Sequence, residues 1–143
     1  MNIPEVLGSI LLALAAAQGM KLLLFKLRHH QHLRLEDAVV TGGMPSAHSA
    51  TVTALCFSIL WTDGWRDPTF AIAVVLAVIV IRDALGVRRT AGEEGKTINS
   101  IIRLAHVKTP LVHYSLGHTP PEVAVGIVIG ALAAFTMAAV GFI

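Results

Sequence analysis

Charged residues are scarce in this chain of 143 residues. Only 14% of the positions carry Asp, Glu, Lys or Arg, whereas soluble domains carry about 25%. Hydrophobic residues make up 55% of the chain and the mean hydropathy is +0.71, which excludes an ordinary water-soluble domain and indicates an integral membrane protein. Cysteine occurs once, at Cys56, so the chain cannot form an internal disulfide. The length suits one domain, and we expect residues 1–143 to form it.

Four apolar segments predict an all-α bundle of about four membrane helices. They cover about residues 4–27, 46–61, 68–87 and 120–142, and a membrane span needs about 20 residues. The second segment is short and rich in Ser and Thr, so we expect it to be buried among the others. Asp67 and Pro68 have the residue types of an N-cap and a first helical position.

Small residues in the last segment predict close helix packing. Gly126 and Gly130 form a G-x-x-x-G pair, which lets another helix approach closely. This glycine face suggests a homodimer.

The cations are distributed unevenly between the two sides of the predicted bundle. With four alternating spans, the connections 28–45 and 88–119 fall on one side. Together with Lys26, at the end of the first apolar segment, that side holds eight cations, whereas the opposite side has only Arg66. The positive-inside rule therefore places both connections in the cytoplasm.

Within 88–119, Ile98, Ile101 and Ile102 form a helical stripe, which predicts either a short interfacial helix or a helix packed on the bundle.

Functional side chains gather on that same side. The segment ends that meet there carry several cations, and all seven histidines of the chain lie on it. We expect Ser46 to cap the second helix and His48 to lie in its first turn. A helix N-terminus attracts anions, and ionisable residues at the edges of apolar helices are usually functional. Converging cations and helix starts indicate a site for a phosphate or diphosphate.

Three blocks of sequence resemble the motifs of a known superfamily. Pro45-Ser46-Ala47-His48 resembles the P-S-G-H motif of the type 2 phosphatidic acid phosphatases, which also include vanadium haloperoxidases. Lys21 and Arg28 resemble its K-x6-R-P motif, with His29 in place of the proline. The stretch 116–126 resembles the L-G-x-H-x3-D-x3-G ending, with one spacer residue missing and Glu122 in place of the aspartate.

The resemblance extends over residues 18–126. Together with Asp83-Ala84-Leu85-Gly86-Val87-Arg88-Arg89-Thr90-Ala91-Gly92, the blocks look like the divergent branch of that superfamily. The third motif of the superfamily begins with S-R, and this chain has no S-R five residues before His118. The nearest counterparts of that S-R are Arg88 and Arg89, about thirty residues upstream.

The resemblance implies a lipid phosphatase and a role for each matching residue. His118 is the expected nucleophile, Glu122 holds its other ring nitrogen, and His48 protonates the leaving oxygen. The expected phosphate-binding residues are Lys21, Arg28, Ser46, Arg88 and Arg89, with Asp83 and Gly43 in support. Candidate substrates are phosphatidylglycerol phosphate, phosphatidic acid and polyprenyl diphosphate. The expected location is a bacterial inner membrane, with the site at the cytoplasmic face.

No metal is expected, because no carboxylate pair or His/Cys cluster has metal-ligand spacing. No other cofactor and no nucleic acid partner are expected. The expected partners are the lipid phosphate and the surrounding membrane lipids.

Other interpretations of the same residues stay open. Thr119-Pro120-Pro121-Glu122 also has the form of a capping box, which would explain Glu122 without catalysis. Arg88 and Arg89 could anchor a helix at lipid head groups. A non-catalytic protein that binds lipid phosphates is therefore an alternative function. A haloperoxidase using bound vanadate is a third, against which the short membrane-embedded chain argues.

Overall fold

The described part of the chain folds into five α-helices. The structure is a computed structural model that describes residues 3–29, 43–106, 108–114 and 117–140. The helices are α1 (Ile3–His29), α2 (Ala47–Thr62), α3 (Pro68–Leu85), α4 (Val87–Leu104) and α5 (Pro120–Ala139). The described residues contain no β-strand, and the predicted all-α class is confirmed.

Among the residues that the structure describes, three stretches are long and apolar enough to cross a membrane. They are Ile3–Leu27, Pro68–Leu104 and Pro120–Ala139, whereas α2 has only 16 residues and is shorter than a span. Many side chains of α3 are exposed, including Ile72, Val75 and Val78. In a membrane such a surface faces lipid, so the arrangement is that of a helical membrane bundle.

Local chemistry explains where the central helices begin. Ser46 caps α2, and its side-chain oxygen accepts a hydrogen bond from Ser49 N–H at 3.3 Å. Asp67 caps α3 by accepting one from Thr69 N–H at 2.8 Å, and Pro68 fits the first helical position because it has no N–H to satisfy. α3 ends at Leu85, two residues before the predicted boundary, and Gly86 separates it from α4.

α2 is the centre of the bundle. It packs against α1, α3 and α5, through a core of small side chains that includes Ala13, Ala17, Ala50, Ala54 and Ala133. Because these side chains are small, the helix backbones approach one another closely. As predicted, α2 is buried among the longer helices.

The glycine pair of α5 faces α2. A Cβ atom at Gly126 would overlap the carbonyl oxygen of Ser46, and one at Gly130 would overlap that of Ala50. The predicted close approach is thus confirmed as a contact within the chain. The homodimer stays a prediction, and it would need a surface other than this glycine face.

The amphipathic stripe in the second long connection belongs to α4. Ile98 and Ile101 are exposed on one side of this helix, while Gly92 and Gly95 are buried on another. Helical structure here is confirmed, and its position at the membrane surface stays a prediction.

Candidate functional site

The starts of α2 and α5 are joined to each other. The backbone N–H of Ser46 donates a hydrogen bond to the carbonyl oxygen of Glu122 at 3.0 Å. Gly126 lies one turn further along α5, against the same part of α2. The blocks around His48 and His118, about seventy residues apart in sequence, are therefore neighbours in the fold.

His118 is buried and held from two directions, with only 6% of its surface exposed. Its backbone N–H donates to the carbonyl oxygen of Ala84, in the last turn of α3, at 3.0 Å. Its ring atom Nδ1 lies 3.1 Å from Oε2 of Glu122. A carboxylate only accepts hydrogen bonds, so Nδ1 carries the proton of the neutral ring and Nε2 keeps its lone pair.

The same oxygen of Glu122 also serves the start of α5. Oε2 accepts a hydrogen bond from the backbone N–H of Thr119 at 3.0 Å, which is the carboxylate half of a capping box. The two interpretations of Glu122 therefore do not compete, because one carboxylate oxygen makes both contacts.

His48 lies in the first turn of α2, and charged groups surround it. Partial burial lowers the pKa of His48 below its usual value, and Arg88, His118 and Lys21 lower it further, while Asp83 opposes them. Lys21 and Glu122 also act on one another electrostatically. The predicted acid, nucleophile and two of the predicted cations thus share one electrostatic environment.

Arg88 and Arg89, in the first turn of α4, each have a carboxylate partner. Asp83 lies in the last turn of α3 and Glu93 in the second turn of α4. Nε of Arg88 contacts Oδ2 of Asp83, and Nε of Arg89 lies 3.4 Å from Oε1 of Glu93. About half of each arginine side chain is exposed. Exposed ion pairs of this kind are weak, about 0–1 kcal/mol, so an incoming phosphate can take over either guanidinium.

A cavity of about 350 Å³ lies beside Glu122. Its lining residues come from one face of α4 and from the segments that lead into α2 and α5: Gly43, Arg89, Glu93, Lys96, Gly117, Thr119 and Glu122. Sequence reasoning selected three of them, Gly43, Arg89 and Glu122, as site residues and missed Lys96 and Glu93. Glu93 lies four residues and Lys96 seven residues after Arg89 on the same helix, and this spacing is the signal that could have found them.

Two predicted phosphate-binding residues stand apart from the rest. Ser46 is fully buried, and its Oγ accepts hydrogen bonds from Ser49 N–H at 3.3 Å and Ser49 Oγ at 3.0 Å. The hydroxyl therefore serves the start of α2. Arg28 lies in the last turn of α1, and its side chain falls outside the described part of the chain.

Comparison with known proteins identifies the family. The family model described as the Divergent PAP2 family matches residues 4–133. The chain belongs to the Divergent PAP2 family. This confirms the resemblance drawn from the motifs, and it makes the protein a member of a phosphatase-related family of membrane proteins.

One curated relative is similar over part of its length. The uncharacterized membrane protein YuiD of Bacillus subtilis (strain 168) is 48% identical over 62 residues, which are 43% of this chain and 39% of that protein. The match thus spans about two-fifths of the relative. No solved structure matches the chain.

Proposed function

We propose that this member of the Divergent PAP2 family is a lipid phosphatase. It hydrolyses a phosphomonoester or diphosphate of a membrane lipid through a phosphohistidine on His118. Family membership supports a phosphatase-related role, and the contact between His118 Nδ1 and Glu122 Oε2 at 3.1 Å carries the proposal. A buried imidazole whose Nδ1–H faces a carboxylate has the arrangement of an activated nucleophile.

The first half of the reaction transfers the phosphoryl group to the protein. Nε2 of His118 attacks phosphorus, the bond from phosphorus to the lipid oxygen breaks, and protonated His48 gives its proton to that oxygen. Glu122 stabilises the positive charge that develops on the ring of His118. The lipid alcohol, or the lipid monophosphate if the substrate is a diphosphate, then leaves.

The second half restores the protein. A water molecule attacks phosphorus, His48 accepts a proton from that water, and the bond between Nε2 and phosphorus breaks. Inorganic phosphate leaves with His48 protonated again. His48 thus acts as acid and then as base, and no proton is gained or lost by the protein over the cycle.

Positive charge holds the phosphoryl oxygens in both halves. Arg88 and Lys21 supply it near His48, because both act on that histidine electrostatically. Arg89 supplies it on the side of the cavity beside Glu122. Fixed cations are effective here because phosphoryl transfer depends chiefly on positioning and charge stabilisation.

The proposed site lies at the cytoplasmic face of a bacterial inner membrane. The excess of Lys and Arg in the two long connections supports this orientation. It suits an intermediate of phospholipid synthesis, such as phosphatidylglycerol phosphate or phosphatidic acid, and polyprenyl diphosphate is the third candidate.

Phosphate release from a panel of phospholipid and prenyl phosphates tests the proposal. We expect the full-length protein in detergent micelles to release phosphate from at least one of them, with inhibition by vanadate and no effect of EDTA. We expect His118→Ala to abolish release and His48→Ala to lower kcat by about 100-fold or more. His106→Asn, which changes an exposed histidine outside the site, is the matched control.

A substrate with a better leaving group distinguishes the proposed roles of His48 and His118. A phosphate ester of a nitrophenol needs little protonation as it leaves, so it should restore much of the activity of His48→Ala but none of that of His118→Ala. Equal recovery of both variants would contradict the assigned roles.

A non-catalytic protein that binds lipid phosphates is the second candidate. The contact between Glu122 and Thr119 N–H is compatible with it, because this contact gives Glu122 a role as a helix cap that needs no catalysis. Phosphate release that is the same in wild type and both histidine variants and no greater than in a protein-free sample, together with binding of a lipid phosphate, would support this alternative.

A further inference from the structure

The segment that leads to His118 lies along α4. Val112 is hydrogen-bonded to the side chain of Asn99: the Asn99 Nδ2 group donates to the Val112 carbonyl oxygen at 2.9 Å, and the Val112 N–H donates to Asn99 Oδ1 at 2.8 Å. The described residues 108–114 and 117–119 form no helix or strand. Contacts with α4, rather than regular secondary structure, therefore hold this part of the chain.

Two glycines bring the segment and α4 into close contact. A Cβ atom at Gly95 would stand 2.7 Å from Cγ of Tyr114, and one at Gly117 would stand 2.8 Å from the carbonyl carbon of Arg88. Such distances are too short for a real Cβ atom. Both positions thus need glycine for the segment and the helix to lie at this separation.

The contacts follow one antiparallel register. Val112 lies at Asn99, Tyr114 at Gly95 and Gly117 at the Arg88–Arg89 backbone, and His118 N–H then reaches Ala84 at the end of α3. The later a residue comes in the segment, the earlier its partner comes in the helices.

Chain length leaves this register little slack. The ten helical residues from position 89 to position 99 rise about 15 Å. The five residues from position 112 to position 117 reach at most about 18 Å. A shift of Val112 away from Gly117 by more than about 3 Å is therefore passed on to Gly117 and to His118 beside it.

Asparagine suits this task for a chemical reason. Its amide group offers one donor and one acceptor, which pair with the N–H and C=O of a single residue. Aspartate keeps the acceptor and would repel the carbonyl oxygen of Val112, while alanine offers neither group.

We propose that Asn99 is a positioning residue for the nucleophile: its amide group fixes where Val112 lies on α4 and thereby sets the position of His118. The proposal rests on the proposed function in taking His118 as the nucleophile. Asn99 touches no reacting atom. Its effect passes through the backbone of the segment.

Kinetics of the full-length protein in detergent micelles test this role. We expect Asn99→Ala and Asn99→Asp to lower kcat by about 10- to 100-fold, because a misplacement of about 1 Å can cost 100-fold. KM should stay within about twofold of wild type, because the cations that hold the phosphate do not contact Asn99. Gly95→Ala changes the register from another point and should show the same split between kcat and KM.

Ser100→Ala is the matched control. Ser100 is exposed on the same turn of α4, and its hydroxyl donates to the carbonyl oxygen of Lys96 at 3.0 Å within its own helix. That bond stays within α4 and does not reach the segment, so we expect both kinetic constants to stay near wild type. An equal loss of kcat in this control would overturn the proposal.

Amide hydrogen exchange separates failure of the positioning role from failure of the proposed function. The His118 N–H is hydrogen-bonded to the Ala84 carbonyl oxygen. It should exchange faster than in wild type in Asn99→Ala and Gly95→Ala, and at the wild-type rate in Ser100→Ala. If wild type releases no phosphate but this pattern holds, the phosphatase proposal fails and the positioning of His118 stands. Exchange at the wild-type rate in both variants would overturn the positioning role whatever the activity. Asn99→Asp, close to isosteric, covers the case in which Asn99→Ala does not fold.

Discussion

At the scale of single residues, one oxygen atom of Glu122 makes two contacts. Oε2 accepts from Thr119 N–H and faces Nδ1 of His118. The start of α5 and the orientation of His118 are thereby fixed together. The substitution Glu122→Gln tests the negative charge alone, because glutamine has a similar shape and keeps an oxygen acceptor but carries no charge.

Glu122→Gln should leave the fold intact and lower kcat by up to about 10,000-fold, the loss seen when the histidine of a Ser-His-Asp triad loses its carboxylate. The thermal midpoint should fall only slightly, since the amide oxygen still accepts from Thr119. Phosphate release and thermal unfolding measure the two effects, with Glu94→Gln, an exposed position on α4, as control. A kcat equal to that of wild type would reduce Glu122 to a helix cap.

The lowered pKa of His48 predicts how activity depends on pH. Burial, Arg88, His118 and Lys21 all disfavour its protonated form, so the free protein loses the proposed acid at a lower pH than an ordinary histidine would. A bound phosphate offsets those positive charges and raises the pKa again. The basic limb of the kcat profile should therefore lie at higher pH than that of kcat/KM.

Profiles of phosphate release against pH check this. Arg88→Gln removes one of the charges, so its kcat/KM limb should move toward higher pH, whereas Arg103→Gln, in the last turn of α4, should leave it in place. Coincident limbs in wild type would show that bound phosphate does not act on His48.

At the scale of elements, the packing of α5 on α2 depends on two positions without side chains. Gly130→Ala places a methyl group against the Ala50 carbonyl oxygen and near Thr53, and overpacking of this kind costs about 1–3 kcal/mol. We expect a lower thermal midpoint in detergent micelles.

Gly19→Ala provides the contrast. This glycine lies in α1 with open space around its Cα, so alanine should leave stability unchanged or raise it by up to about 1 kcal/mol. Equal midpoints for the two variants would argue against the close contact at Gly130.

The amphipathic face of α4 predicts a helix at the membrane surface. A spin label at Ile101→Cys, in a Cys56→Ser background, should be accessible to oxygen dissolved in lipid, because Ile101 is exposed on the apolar face. A label at Ser100→Cys should instead be accessible to a water-soluble relaxation agent. Water-like exposure at both positions would favour a helix packed on the bundle away from lipid.

Local chemistry made the helices largely predictable from sequence. The caps at Ser46 and Asp67 and the prolines that follow Asp67 and Thr119 fix three helix starts through contacts within a few residues. The pairing of Asn99 with Val112 was not predictable, because it joins a residue of α4 to one thirteen positions later that lies in no helix or strand. Nor does a G-x-x-x-G pair reveal whether its partner helix belongs to the same chain.

At the scale of the whole molecule, orientation in the membrane is open to direct measurement. Arg66 lies in the turn between α2 and α3 and Lys108 follows α4, and both are exposed. In a Cys56→Ser background, a membrane-impermeant maleimide added to intact cells should label Arg66→Cys. It should label Lys108→Cys only after the cells are permeabilised. The reverse pattern would place the site on the outer face.

The contact of Gly126 and Gly130 with α2 also orders events during synthesis of the chain. α2 is made before α5, and it is too short to count as a span of its own. Until α5 arrives, the part of α2 around Ser49 and Thr53 lacks the glycine surface that covers it. His118 and Glu122 stand at the start of that last helix. The docking of one helix therefore both completes the bundle and brings His118 beside His48, and a nascent chain that ends before α5 has neither.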